Sequence, residues 1–153
     1  DLRGADLSGA DLRGADLSDA DLRDAENRAT DEQATENLDR VRAIILDNNE
    51  RLEMNHWHQD SGWKERTCAE ETLCATTHCL AGWLQVCSTD EEIRKLDDPQ
   101  LAGILSAPIA SKMFFRRGKE VLSWLEDRKY VTEMQESAAR RAARAAARAT
   151  GAA

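Results

Sequence analysis

Along residues 1–25 the hydrophobic positions recur every five residues without exception, as DLRGA, DLSGA, DLRGA, DLSDA and DLRDA. Leu2, Leu7, Leu12, Leu17 and Leu22 hold one position, and Ala5, Ala10, Ala15, Ala20 and Ala25 hold another. A period of five fits neither the period of about 3.6 of a helix nor that of about 2 of a strand. It signals a repeat architecture, in which stacked neighbours bury what a single unit cannot. The leucines stop at Glu26-Asn27, and from Asp31 the spacing turns helical. Leu38, Val41, Ile45 and Leu52 fall on one face behind an acidic start, which predicts a helix running to about Met54.

Punctuation organises the remainder. Residues 59–67 read as a loop around Gly62. Thr77 is placed to cap a short helix, HCLAGWLQVC, and Ser88-Thr89 with Glu91 and Glu92 to cap another over 90–97. Asp98-Pro99 supplies a cap with proline at the first helical position. The helix behind it carries Leu101, Ile104 and Leu105 and should end near Ser106, because Pro108 biases Ala107 away from helical geometry. A further helix is expected from Ser111 to Arg117, stopped by Gly118, and another from Lys119. The last segment, ESAARRAARAAARATGAA, is built from strong helix formers. It predicts one continuous helix from the 121–131 region to Thr150, with Gly151 as its C-terminal cap. Val131, Met134, Ala138, Ala142, Ala145 and Ala149 step by threes and fours along it, the spacing of a weak coiled-coil seam.

The five repeats resemble the pentapeptide-repeat family, with its A(D/N)LXX unit. That resemblance implies a right-handed, four-sided β-helix, in which four units make a coil and the Leu and Ala of each unit point inward. On that pattern Leu2, Leu7, Leu12, Leu17 and Leu22, with Ala5, Ala10, Ala15 and Ala20, form the repeat core. Five repeats make little more than one coil, so the segment is expected to continue upstream, to pack on the rest of the chain, or to pair with another copy. The chain also begins inside a repeat and without Met, as expected of a fragment or a processed form. Further along, Trp57-His58 and Cys74-Ala75-Thr76-Thr77-His78-Cys79-Leu80-Ala81-Gly82-Trp83 resemble a bacterial helical domain of unassigned activity, often attached to pentapeptide repeats. Ala75 stands where that pattern has Gly. The resemblance covers roughly residues 38–126 and implies a fold rather than a reaction.

The expected fold is mainly α: a short quadrilateral β-helix coil at 1–25, a compact helical bundle over 26–130, and an Ala/Arg-rich C-terminal helix at 131–153. The net charge of −8 argues against direct nucleic-acid binding, which leaves a basic footprint. The charge is unevenly spread. The repeats hold seven acids against Arg3, Arg13 and Arg23, a balance of −4, whereas residues 137–153 hold four arginines and no acid. No apolar run approaches the roughly 20 residues that span a bilayer, so no membrane partner is expected. Four cysteines in a chain this long are too sparse for a disulfide scaffold, and a reduced, cytoplasmic protein is expected. An oxidising compartment would instead permit a disulfide such as Cys68–Cys74.

Every histidine, every cysteine and three of the four tryptophans lie between His56 and Cys87. Trp57, His58, Cys74, His78, Cys79 and Trp83 are the candidate binding residues. Cys74, His78 and Cys79, joined by His56, His58 or Cys68, have the donor types of a zinc site. Their spacing lacks the paired Cys-x2-Cys knuckle, however, and free cysteines are commonly small core residues, so no metal or cofactor is expected. Cys79 near a helix start, beside His58, has the outline of a thiol nucleophile. No third group orients the pair, and no catalytic residue is assigned. The sequence therefore favours a non-enzymatic module that binds a protein partner or itself, with a homo-oligomer expected. The alternatives are an acidic mimic of DNA that binds a topoisomerase, and a zinc- or thiol-dependent enzyme. The mimic is disfavoured because one coil is too short to imitate a duplex.

Overall fold

The computed structural model describes residues 28–59, 61–73 and 76–151. The repeat core residues Leu2 to Leu22 and Ala5 to Ala20, and Cys74 among the candidate binding residues, lie outside the described residues. What is described is helical, and among the described residues strand pairing is limited to isolated bridges of Leu52 and His58 with His78.

Helix α1, Asp31–Asp47, opens with a reciprocal cap. Gln33 N–H donates to Thr30 Oγ1 at 3.2 Å, while Thr30 N–H donates to Gln33 Oε1 at 2.8 Å. The helix ends seven residues before the expected Met54. Asn48 turns extended, and its side chain accepts from Glu50 N–H at 3.0 Å, a local bond that competes with the helical ladder. Leu52 is thereby released to pair with His78. The expected loop at 59–67 contains a 3-10 turn, Ser61–Glu65, whose Trp63 is buried. Helix α2, Cys68–Leu73, follows.

Helix α3, Leu80–Val86, starts later than expected. Its N-cap is Cys79 rather than Thr77, because Gly82 N–H donates to Cys79 Sγ at 3.4 Å. All seven residues of α3 are buried, which makes it the centre of the core. Helix α4, Glu91–Arg94, is capped by Asp90 and is shorter than the sequence suggested. Helix α5, Pro99–Ser106, has the predicted boundaries: Asp98 accepts from Gln100 N–H at 2.9 Å and Leu101 N–H at 3.1 Å. It packs on α3 at Gly103, where a Cβ would sit 2.9 Å from the Ala81 Cβ, so only glycine permits this approach.

The helix expected at Ser111–Arg117 is instead a 3-10 segment, Pro108–Met113. Helix α6 spans Gly118–Glu126 and helix α7 spans Lys129–Ala149. They are not the single helix expected. Arg128, with φ 49°, takes the left-handed conformation and breaks the axis between them. Its guanidinium meets Asp39 of α1 at 2.6 Å, and the Tyr130 hydroxyl donates to the same carboxylate, so the break is held from both sides. Helix α7 buries Tyr130, Met134 and Ser137. Arg141 reaches Asp31 of α1 at 3.1 Å, and from Ala142 to Ala149 every residue but Ala147 is exposed.

Candidate functional site

The segment from Arg51 to Gln59 is stitched to the segment before α3 by backbone bonds. His78 N–H donates to Arg51 O at 3.2 Å, Glu53 N–H to His78 O at 3.1 Å, Cys79 N–H to His56 O at 3.2 Å, and Gln59 N–H to Thr77 O at 3.1 Å. Gly82 lets the Trp57 carbonyl lie against α3, since a Cβ at that position would stand 1.9 Å from the Trp57 oxygen. The indole N–H of Trp83 donates to Arg51 O at 2.9 Å, which satisfies the polar edge of a fully buried ring. Trp57-His58 and His78-Cys79, distant in sequence, are thus brought together on one frame.

Within that frame four side chains form a continuous chain. His78 Nε2 lies 2.7 Å from Glu71 Oε2, the Nδ1 atoms of His78 and His58 lie 2.9 Å apart, and His58 Nε2 lies 3.0 Å from Gln85 Oε1. The Gln85 amide nitrogen donates to Leu96 O at 2.6 Å and Arg94 O at 3.3 Å. The His58 ring stacks on Trp63 with centroids 4.0 Å apart, and His78 meets Trp83 edge-on at 4.7 Å. Glu71 is fully buried. Burial alone raises its pKa, but bonds from Thr76, Arg66 and His78 outweigh that cost and hold the carboxyl below its ordinary value. It is therefore a buried carboxylate with paired charge, not a stranded acid.

Cys79 sits beside this chain with opposite electrostatics. Burial pushes its thiol up to about 11, only partly offset by the backbone N–H groups at the start of α3. The thiol therefore stays protonated at neutral pH. The ring nitrogens of His58 and His78 already have partners at hydrogen-bond distance. Among the described residues, no three His, Cys, Asp or Glu side chains converge as a metal site. The two cysteines nearest the chain ends of this region form a bridge: Cys68 and Cys87 are disulfide-bonded. This departs both from the expected reduced thiols and from the Cys68–Cys74 pairing offered as the oxidised alternative.

The face of the site is a cleft of about 600 Å³ lined by Met54, His56, Trp57, His58, Cys79 and Phe115, among others. Trp57 and His58 are half-buried and reach this surface, whereas His78, Cys79 and Trp83 are buried behind it. Phe115 is 51% exposed, alone among the large hydrophobic side chains of the described residues, and meets Trp57 edge-on at 5.8 Å. Arg116 and Arg117 beside it are exposed. Sequence reasoning missed Glu71, Gln85 and Phe115. The sequence assigned no element to the stretch that holds Glu71, and Gln85 lay unmarked in a short expected helix, so their only signal was the three-dimensional contact itself.

Comparison with known proteins addresses the other end of the chain. Residues 1–26 match the family described as pentapeptide repeats (8 copies). The N-terminal segment is a pentapeptide-repeat segment. The helical remainder is fused to these repeats in one chain. No curated protein and no solved structure matches the chain. No helix among the described residues is long and apolar enough to cross a membrane.

Proposed function

We propose that the chain is a non-enzymatic protein-binding or self-assembly module, in which the pentapeptide repeats are the scaffold and the helical domain makes the contact. The observation that carries this reading is the far half of α7. A helix of 21 residues buries only Tyr130, Met134 and Ser137 in its own domain, and its last turns extend past Arg141 as an exposed Ala/Arg rod. A segment that contributes so little to its own core is explained by a partner that covers it. A second copy has suitable charge, because the repeats of each chain carry −4 and the rod is basic. The lip formed by Trp57 and Phe115 is a second contact face, shaped from behind by His78, Cys79 and Trp83. The reading requires no cofactor, nucleic acid or membrane.

Sedimentation velocity at micromolar concentration tests it, with the full chain compared with one ending at Arg141. The full chain is expected to associate at low salt, less so at high salt, where charges separated by more than about 10 Å are screened at 0.1 M. The shortened chain is expected to remain monomeric. A full chain that is monomeric at both salt concentrations would contradict self-assembly.

A further inference from the structure

The chain of hydrogen bonds through the two histidines fixes a proton count. Glu71 accepts from the Arg66 guanidinium at one oxygen, and Thr76 Oγ1, which also reaches the Glu71 backbone carbonyl at 2.9 Å, lies at the other. Paired with Arg66 the group is a carboxylate and so an acceptor toward His78, and His78 Nε2 then carries hydrogen. The orientation of Gln85 is fixed as well. Its amide nitrogen faces two backbone carbonyls, and exchanging its nitrogen and oxygen would set an oxygen against both. Gln85 Oε1 therefore faces His58, and His58 Nε2 must also carry hydrogen. A neutral imidazole has one N–H, and each ring has already used its own on the Nε2 side. The two Nδ1 atoms nevertheless lie 2.9 Å apart, the distance of a hydrogen bond and not of two opposed lone pairs.

We propose that His58 and His78 share one additional proton between their Nδ1 atoms, so that the pair is a buried proton-binding site carrying a single positive charge at neutral pH. The pair then works as a latch. His58 belongs to the segment that walls the Trp57 cleft, His78 to the start of α3, and the proton joins them. Among the described residues, the charged and titratable groups around the pair come from every adjoining element. Glu71 and Arg66 lie on the α2 side, Cys79 at the start of α3, and Arg51, Glu53 and His56 on the wall segment. Lys64, over the Trp63 ring that stacks on His58, is paired with Asp97, and Arg94 donates to Arg66 O. Glu71 sets a negative charge beside the pair and shares it with Arg66 at its other oxygen.

The proton count gives the sign of the pH dependence. Below about pH 6.5, the ordinary histidine value, the unfolded chain holds two protons on these residues and the folded chain one. Folding is then strengthened as pH rises. Above that value the unfolded chain holds none and the folded chain still one, so folding is weakened as pH rises further. The pair's contribution to the folding constant is a bell centred near pH 6.5, changing about tenfold per pH unit on either limb.

The direct test is nitrogen-15 NMR of the histidine rings at pH 7 in the otherwise intact chain carrying His56→Ala, before and after dialysis against a chelator. The expected spectrum shows three protons over the four ring nitrogens of His58 and His78. Both Nε2 atoms are fully protonated, both Nδ1 atoms are intermediate, and chelator changes nothing. Two neutral rings with bare Nδ1 atoms, two fully charged rings, or Nδ1 signals that move when chelator removes a metal would each overturn the proposal.

Discussion

Helices α3 and α7 are stabilised by opposite means. Helix α3, LAGWLQV, has seven residues, among them a glycine, a tryptophan and a valine that disfavour helix, and all seven are buried. Isolated helices shorter than about 12–15 residues are marginal in water, so α3 exists because the core surrounds it. Helix α7 has 21 residues rich in Ala and Arg, and buries three of them. Its far half is helical by intrinsic propensity, and from Ala142 to Ala149 every residue but Ala147 is exposed. The difference separates two roles: α3 organises the frame that joins the two histidines, and α7 presents a surface.

Breaking the buried side of this comparison should have the largest effect. Trp83→Ala removes a fully buried ring and its bond to Arg51 O. It is expected to cost about 3–5 kcal/mol, read as a shift in the urea unfolding midpoint followed by circular dichroism. Removing the Cys68–Cys87 bridge, whose ends are separated by 19 positions in sequence, should cost about 3 kcal/mol on the chain-entropy account. Comparing oxidised with reduced protein in the same unfolding assay measures it. Gly82→Ala sets a methyl group against the Trp57 carbonyl and should cost about 1–3 kcal/mol, with Trp57 fluorescence shifting as the wall segment moves.

The exposed side should behave in the opposite way. Ala145→Gly costs local helix propensity of about 1 kcal/mol, yet the global unfolding midpoint is expected to stay within experimental error. A midpoint shift as large as that of Gly82→Ala would show that the far half of α7 is part of the core. The same contrast applies to chemical reactivity. With its thiol pushed up to about 11 and buried, Cys79 should resist alkylation at pH 8 in a Cys74→Ser background until the chain unfolds. Stoichiometric labelling of the native protein would contradict that environment.

What was legible in the sequence follows the same division. Local chemistry could be read directly. Asp98-Pro99 and Pro108 bracketed α5 correctly, and acids ahead of an apolar stripe marked the start of α1. Endings decided by tertiary contacts could not be read so well. Asn48 ended α1 early and left Leu52 to pair with His78, and Arg128, held by Asp39, broke the last helix. Cys79 displaced Thr77 as the cap of α3, an outcome that depends on where the wall segment fastens. The cluster of His, Cys and Trp between His56 and Cys87 was visible as a composition bias. The partners that define its chemistry, Glu71 and Gln85, were not, because a buried Glu and an exposed one look alike in a helical sequence.

Amide hydrogen exchange followed residue by residue at two protein concentrations tests the central claim most directly. The amides of Trp83, Leu84 and Gln85 are expected to exchange only through global unfolding, at a rate independent of concentration. Those of residues 142–149 are expected to exchange orders of magnitude faster in dilute protein and to become protected as concentration rises and a second copy covers them. Equal protection of the two helices, unchanged with concentration, would contradict the division of the molecule into a buried organising helix and a presented one.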